Sequence, residues 1–235
     1  MTGLLETFAR QVGWSIAHNN VVVEGTSDVA FLSHASDLHA IARGRPVLDG
    51  DFAVLAAGRG DDGGVDGVNR RLSLVRQLTD VDRHEDGRLR HRFVGLLDND
   101  AAGRGALAVA CRFDRRVEPY QDLFLLQPVM PDFIPGVDRA MAVAQANLAF
   151  RQFDWEIEDL CSERLLVQLE RDYPCGVLSK HERAGLVHRE LSRAAKVELR
   201  RLFVESATIV DARGFLDLLR AMRRYQGLDH EFVLT

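Results

Sequence analysis

The sequence predicts an α/β fold, a parallel sheet of about four strands flanked by helices and followed by a mainly helical C-terminal region. Two observations carry that expectation. Four short segments are continuously apolar rather than alternating, as strands buried on both faces are. Stretches of helical periodicity separate them, which is the order of a parallel sheet built from β–α units.

Taken in order, residues 3–16 read as a helix with Leu4, Leu5, Phe8 and Val12 on one side. Residues 20–24 (NVVVE) form a short buried strand. Residues 27–42 form a helix capped by Thr26 or Ser27, whose hydroxyl satisfies an unpaired backbone N–H. FAVLAA at 52–57 is a second strand, GRGDDGG at 58–64 a polar loop, and 65–80 a helix. DVDRHEDGRLRH at 80–91 is a solvated connection, RFVGLL at 92–97 a third strand, and 101–111 a short alanine-rich helix. DLFLLQ at 122–127 is a fourth strand, and the proline-rich PVMPDFIPG at 128–136 breaks the pattern. Beyond it the periodicity is helical over 138–150, 156–172, 179–203 and 212–226. The expected organisation is an N-terminal helix (1–19), an α/β domain (20–128) and a mainly helical region (129–235) completing or covering the site.

Composition narrows the classes. A chain of 235 residues, 46% hydrophobic and 28% charged, suits a soluble domain with a substantial addition. No apolar run approaches the roughly 18 residues that span a bilayer. MTGLLETFAR lacks a basic start and an apolar core, so it does not read as a secretion signal. Cys111, Cys161 and Cys175 are widely spaced and form no CxxC pair, which points to a reducing cytoplasm. A net charge of −5 does not advertise nucleic-acid binding, although it can hide local patches. The basic residues are almost all arginine, which singles out Lys180 and Lys196.

Two motifs share one design. VVVEGTSD at 21–28 runs from an apolar strand into Glu24, Gly25 and a polar turn; LLDNDAAGRG at 96–105 runs from an apolar strand into Asp98, Asp100 and a helix. In doubly wound sheets, ligands bind beyond the carboxyl ends of the strands. If the two strands are neighbours, Glu24, Asp98 and Asp100 converge, and Asp28 stands close enough in sequence to join them. Clustered carboxylates repel unless a cation neutralises them, and hard oxygen donors favour Mg²⁺ or Mn²⁺. Further on, Arg189, Arg193, Lys196 and Arg200 recur at spacings of a helical face, a stripe able to follow a phosphate backbone or simply a solvated surface.

VVVEGTSDVAFL and VGLLDNDAAGR resemble the paired signature motifs of the Toprim domain. Their form is most similar to the Toprim nuclease domain of the OLD (overcoming lysogenization defect) family, over roughly residues 18–128 and more weakly at DWEIEDL, 154–160. The resemblance implies a Toprim-like, Rossmann-like sheet. It implies that Glu24 is the catalytic glutamate and a metal ligand, with Asp98, Asp100 and Asp28 as further ligands of one or two ions. It also implies a later acidic residue and a downstream basic residue near the scissile phosphate: Glu158, with Glu156 and Asp159 beside it, and Lys180.

The expected function is therefore a Mg²⁺- or Mn²⁺-dependent cytoplasmic nuclease, acting on DNA in first place, in antiviral defence or repair. The chain has no GxxxxGK[ST] loop, so the ABC-type ATPase of larger OLD proteins would be a separate subunit. A homodimer is a further expected assembly. One alternative is a weakly catalytic or non-catalytic nucleic-acid-binding subunit of an ATPase complex. Another is a phosphatase using the DxD loop, although Ala102 stands where that loop carries threonine or valine. Hydrolysis is expected over strand passage or polymerisation, because Tyr120, Tyr173 and Tyr225 lie in no recognisable strand-passage domain and no zinc module of a primase is evident.

Overall fold

The structure, a computed structural model, describes residues 3–58, 63–132 and 136–233. Residues 59–62 of the glycine-rich loop and 133–135 of the proline-rich break lie outside the described residues. Two compact units emerge from the contacts. The first holds residues up to Val29, Leu48–Leu97 and Ala102–Leu125; the second holds Ala30–Val47, Asp98–Ala101 and Leu126 onward.

The first unit is built on a parallel sheet. β1 (Asn19–Val23), β2 (Phe52–Ala56), β3 (Arg92–Leu97) and β4 (Leu123–Leu125) take the order β2-β1-β3-β4. In register, Val21 lies opposite Val54 on one side and Val94 on the other. All of β1 is buried, which is why it reads as an unbroken valine run. Burying Val21, Val22 and Val23 contributes about 1.5–3 kcal/mol each. A Cβ at Gly95 in β3 would come too close to the terminal methyls of Leu72 and Leu123, so those side chains would have to shift. Asn20 is fully buried yet satisfied: its amide N–H donates to the Ala17 and Arg92 carbonyls, and its oxygen accepts from the Ala17 N–H. α1 (Leu4–Gln11), α3 (Gly64–Val81) and α4 (Ala101–Phe113) complete the β–α pattern. α2 (Thr26–Arg43) begins in this unit and continues into the second.

The second unit is mainly helical. It holds α5 (Arg139–Ala146), α6 (Glu163–Asp172), α7 (Arg193–Ser206) and α8 (Arg213–Tyr225). Its core is aromatic: Phe31 stacks on Phe215 at 5.2 Å between ring centroids, and Phe203 packs on Phe215 at 4.8 Å.

Two expectations for this half are overturned. Residues 179–203 are not one helix. They form an antiparallel hairpin, β5 (Val177–Arg183) and β6 (Leu186–Leu191), followed by α7. The two linking residues, Ala184 and Gly185, both have positive φ (48° and 83°), the geometry of the tight turns whose twist matches a hairpin. Nor is 156–172 one helix: a single 3-10 turn, Ile157–Leu160, precedes α6. Among the described residues no helix is long and apolar enough to cross a membrane.

Candidate active site

Parallel pairing sends the carboxyl ends of β1 and β3 to the same edge of the sheet. Glu24 follows β1 and Asp98 follows β3 directly in the chain. In the first unit, the Glu24 carbonyl accepts the Gly64 N–H at 3.1 Å. One oxygen of Asp28 accepts the Gly25 N–H at 2.8 Å, so this side chain closes the turn that follows Glu24. Glu24 and Asp28 are both half-buried.

The DND turn is pinned within the second unit. Asn99 exchanges backbone hydrogen bonds with Trp155, at 2.9 and 3.2 Å. Its side-chain amide donates to the Phe153 carbonyl at 3.1 Å. One oxygen of half-buried Asp98 accepts the Ile157 N–H at 2.9 Å. These bonds seat the DWEIEDL segment against the DND turn. Asp100, also half-buried, completes the turn just before α4.

Lys196, on α7, reaches that segment. Its Nζ donates to Glu156 at 2.7 Å and to Glu158 at 3.2 Å. Burial opposes the ammonium charge, but the fields of Glu158 and Glu156, the bond to Glu156 and the field of Asp98 outweigh it and hold the pKa well above the ordinary lysine value. Glu158 responds in the opposite sense. It is almost wholly buried, and burial raises its pKa; Lys196 pulls it down, while Glu156 pushes it further up. The net shift is upward, with burial as its leading cause.

Asp159 leaves that group. It accepts from the buried ring of His188 at 2.7 Å and from the Glu156 N–H at 2.8 Å. Burial disfavours the His188 charge, but Asp159 outweighs burial and raises the imidazole pKa. The three neighbouring acids thus divide: Glu156 and Glu158 meet Lys196, whereas Asp159 braces the hairpin. An extended Glu156 followed by a 3-10 turn makes this division, which a regular helix would not.

The expected basic stripe is corrected in part. Arg193, Lys196 and Arg200 share α7, but Arg189 lies in β6. Only 4% of its side chain is exposed, and it bonds Glu163 and Glu170. Arg189 is therefore an internal counter-ion and not a surface for phosphate. Lys180, on β5, donates to Glu170 at 2.6 Å and is half exposed. The structure does not bring Lys180 to the carboxylates of the DND turn; the lysine bonded to the neighbouring acids is Lys196. Its pairing was readable only as a rarity: the chain has two lysines among many arginines.

The donors following β1 and β3 are hard oxygens, which suit Mg²⁺ or Mn²⁺. The buried Trp155 indole N–H has no hydrogen-bond partner among the described residues and could donate to a ligand oxygen. As they stand, no three His, Cys, Asp or Glu among the described residues form a group able to hold a metal ion. No family model, curated protein or solved structure matches the chain.

Proposed function

We propose that this protein is a Mg²⁺- or Mn²⁺-dependent nuclease that hydrolyses phosphodiester bonds, with DNA as the first substrate to test and phage defence or repair as its setting. One observation carries the reading. The DND turn at the end of β3 is pinned to a segment in which one lysine answers two carboxylates, half-buried Glu156 and buried Glu158. Such a cluster is costly to a fold and is expected where a cationic ligand has to be received.

Glu24, Asp98 and Asp100 would hold the metal, with Asp28 and Glu158 as further ligands. When bound, the ion supplies Lewis acidity toward the phosphate and lowers the pKa of an attacking water. Glu24 serves as a ligand or as the base that accepts the proton from that water. Lys196, held charged by its carboxylates, is better placed than Lys180 to offset the charge that develops on the phosphate. The bond to Ile157 N–H fixes Asp98, and the Asn99–Trp155 bonds fix the turn that carries it.

A second reading keeps the same site but assigns it binding rather than cutting, as a subunit working with a separate ATPase. The Lys196 ammonium already bonded to Glu156 and Glu158 favours it, since a built-in cation lessens the demand for a metal. A plasmid-nicking assay with Mg²⁺ or Mn²⁺ separates the two. Asp98→Ala is expected to lower cleavage about 10³-fold, the equivalent of several kcal/mol of transition-state stabilisation. Equal cleavage by parent and variant, both folded by circular dichroism, removes the nuclease reading.

A further inference from the structure

A cleft of about 560 Å³ opens in the first unit. The ends of β2 and α1, the Val12–Ser15 loop and the start of α2 line it, together with Arg71 from α3. Among the described residues Arg71 is its only charged lining residue, and no carboxylate lines it. The guanidinium is held in place. Its Nε donates to the Ala57 carbonyl at 3.0 Å, and its central carbon lies 5.7 Å from the centroid of the Phe8 ring. That use of Nε leaves the terminal amino groups, the fork that matches phosphate, without a hydrogen-bond partner among the described residues. Gln11, Ser15 and Thr26 add neutral hydrogen-bonding side chains at the rim. Val29, Val54 and Leu55 supply an apolar wall, which suits a sugar or base better than a free ion.

We propose that this cleft binds a backbone phosphate of a nucleic-acid strand, with Arg71 as its principal contact and Thr26 beside it. Thr26 stands two positions after Glu24 in the chain, so the strand held here would be the one presented to Glu24. The inference rests on the nuclease reading for its ligand but uses none of the residues assigned to chemistry. A cleft whose described lining carries one cation and no anion favours negative charge, and a tethered arginine loses little side-chain entropy when it binds.

The test is the affinity of the full chain for a short fluorescein-labelled single-stranded DNA, read by anisotropy across a salt series. EDTA is present so that nothing is cut. Arg71→Ala is expected to weaken binding about tenfold, the loss of one charge-assisted contact. The slope of log affinity against log salt should fall by about one. Arg71→Lys should lie between, keeping the charge without the fork. Should Arg71→Ala fail to fold, Arg71→Lys and Thr26→Val decide the matter, both binding more weakly than the parent. Unchanged affinity and salt slope in these variants overturn the subsite. Metal-dependent cleavage is measured on the same proteins. Cutting with binding indifferent to Arg71 sinks the subsite alone; Arg71-dependent binding without cutting keeps it and sinks the nuclease; a parent that binds no DNA sinks both.

Discussion

Lys196 and Lys180 are the two lysines of the chain, and they end in clusters of opposite balance. Lys196 serves Glu156 and Glu158 at once and lies in the field of Asp98. Around Lys180 the ratio is reversed: Glu170 receives both Lys180 and Arg189. Their carboxylates report the difference. Burial raises the pKa of both, but for Glu158 burial and Glu156 outweigh the lysine, and the net shift is upward. For Glu170 the bonds from Lys180 and Arg189 prevail, and the net shift is downward. The Glu170 cluster is complete and holds the hairpin to α6. In the Glu158 cluster one lysine answers two carboxylates, and that ratio distinguishes a candidate site from an internal brace.

The largest effect expected on this contrast comes from Lys196→Met. It strands two carboxylates in a part-buried place and should cost about 3–5 kcal/mol. If the cluster accepts cations, millimolar Mn²⁺ restores part of the melting temperature of this variant. A melting temperature indifferent to Mn²⁺ would erase the distinction between the clusters.

Glu170→Ala comes next. It leaves buried Arg189 with Glu163 alone, at a cost of about 3 kcal/mol. For a chain of this size that lowers the melting temperature by about 6–12 °C. Mn²⁺ should not rescue it, and rescue would show that the cation acts elsewhere.

Glu158→Gln is smaller. It removes a buried charge along with one bond to Lys196, and stability at neutral pH should change by less than about 1.5 kcal/mol. Its pH dependence is the sharper test. The folded pKa of Glu158 is raised, so its contribution declines as pH climbs above the ordinary value of 4.5. The folded pKa of Glu170 is lowered, so its contribution is present above 4.5 and is lost as pH falls through the folded value. Denaturant titrations from acid to neutral pH should therefore show opposite trends when Glu158→Gln and Glu170→Gln are each compared with the parent. Parallel trends would contradict the assignment. The smallest effect belongs to Lys180→Met, whose half-exposed pair contributes about 0.5 kcal/mol in a urea titration.

The two halves differ in how far the chain alone discloses them. VVV, FAVLA, RFVGLL and LFL are strands because continuous apolar runs between helices fit only a sheet covered on both faces. The second half misleads. VLSKHER and LVHREL carry charges at intervals that also suit a helix, and their turn is Ala-Gly, a weaker hairpin signal than Asn-Gly. What makes them strands is long-range: His188 and the Arg189 N–H on Asp159, and the Arg189 side chain on Glu163 and Glu170. Glu24, Asp98 and Asp100 were legible as candidates because each ends or follows a buried strand. The pairing of Lys196 with Glu156 and Glu158 was not, since 38 to 40 residues separate those partners.

The amino-acid order by itself determined the parallel sheet, through unbroken apolar runs, and the acidic residues that follow its strands, through the abrupt change from valine and leucine to carboxylate. Tertiary structure alone decided which cations answer which acids. Hydrophobic period is a local property of the chain, whereas the charge a buried carboxylate receives depends on groups that folding brings from far along it.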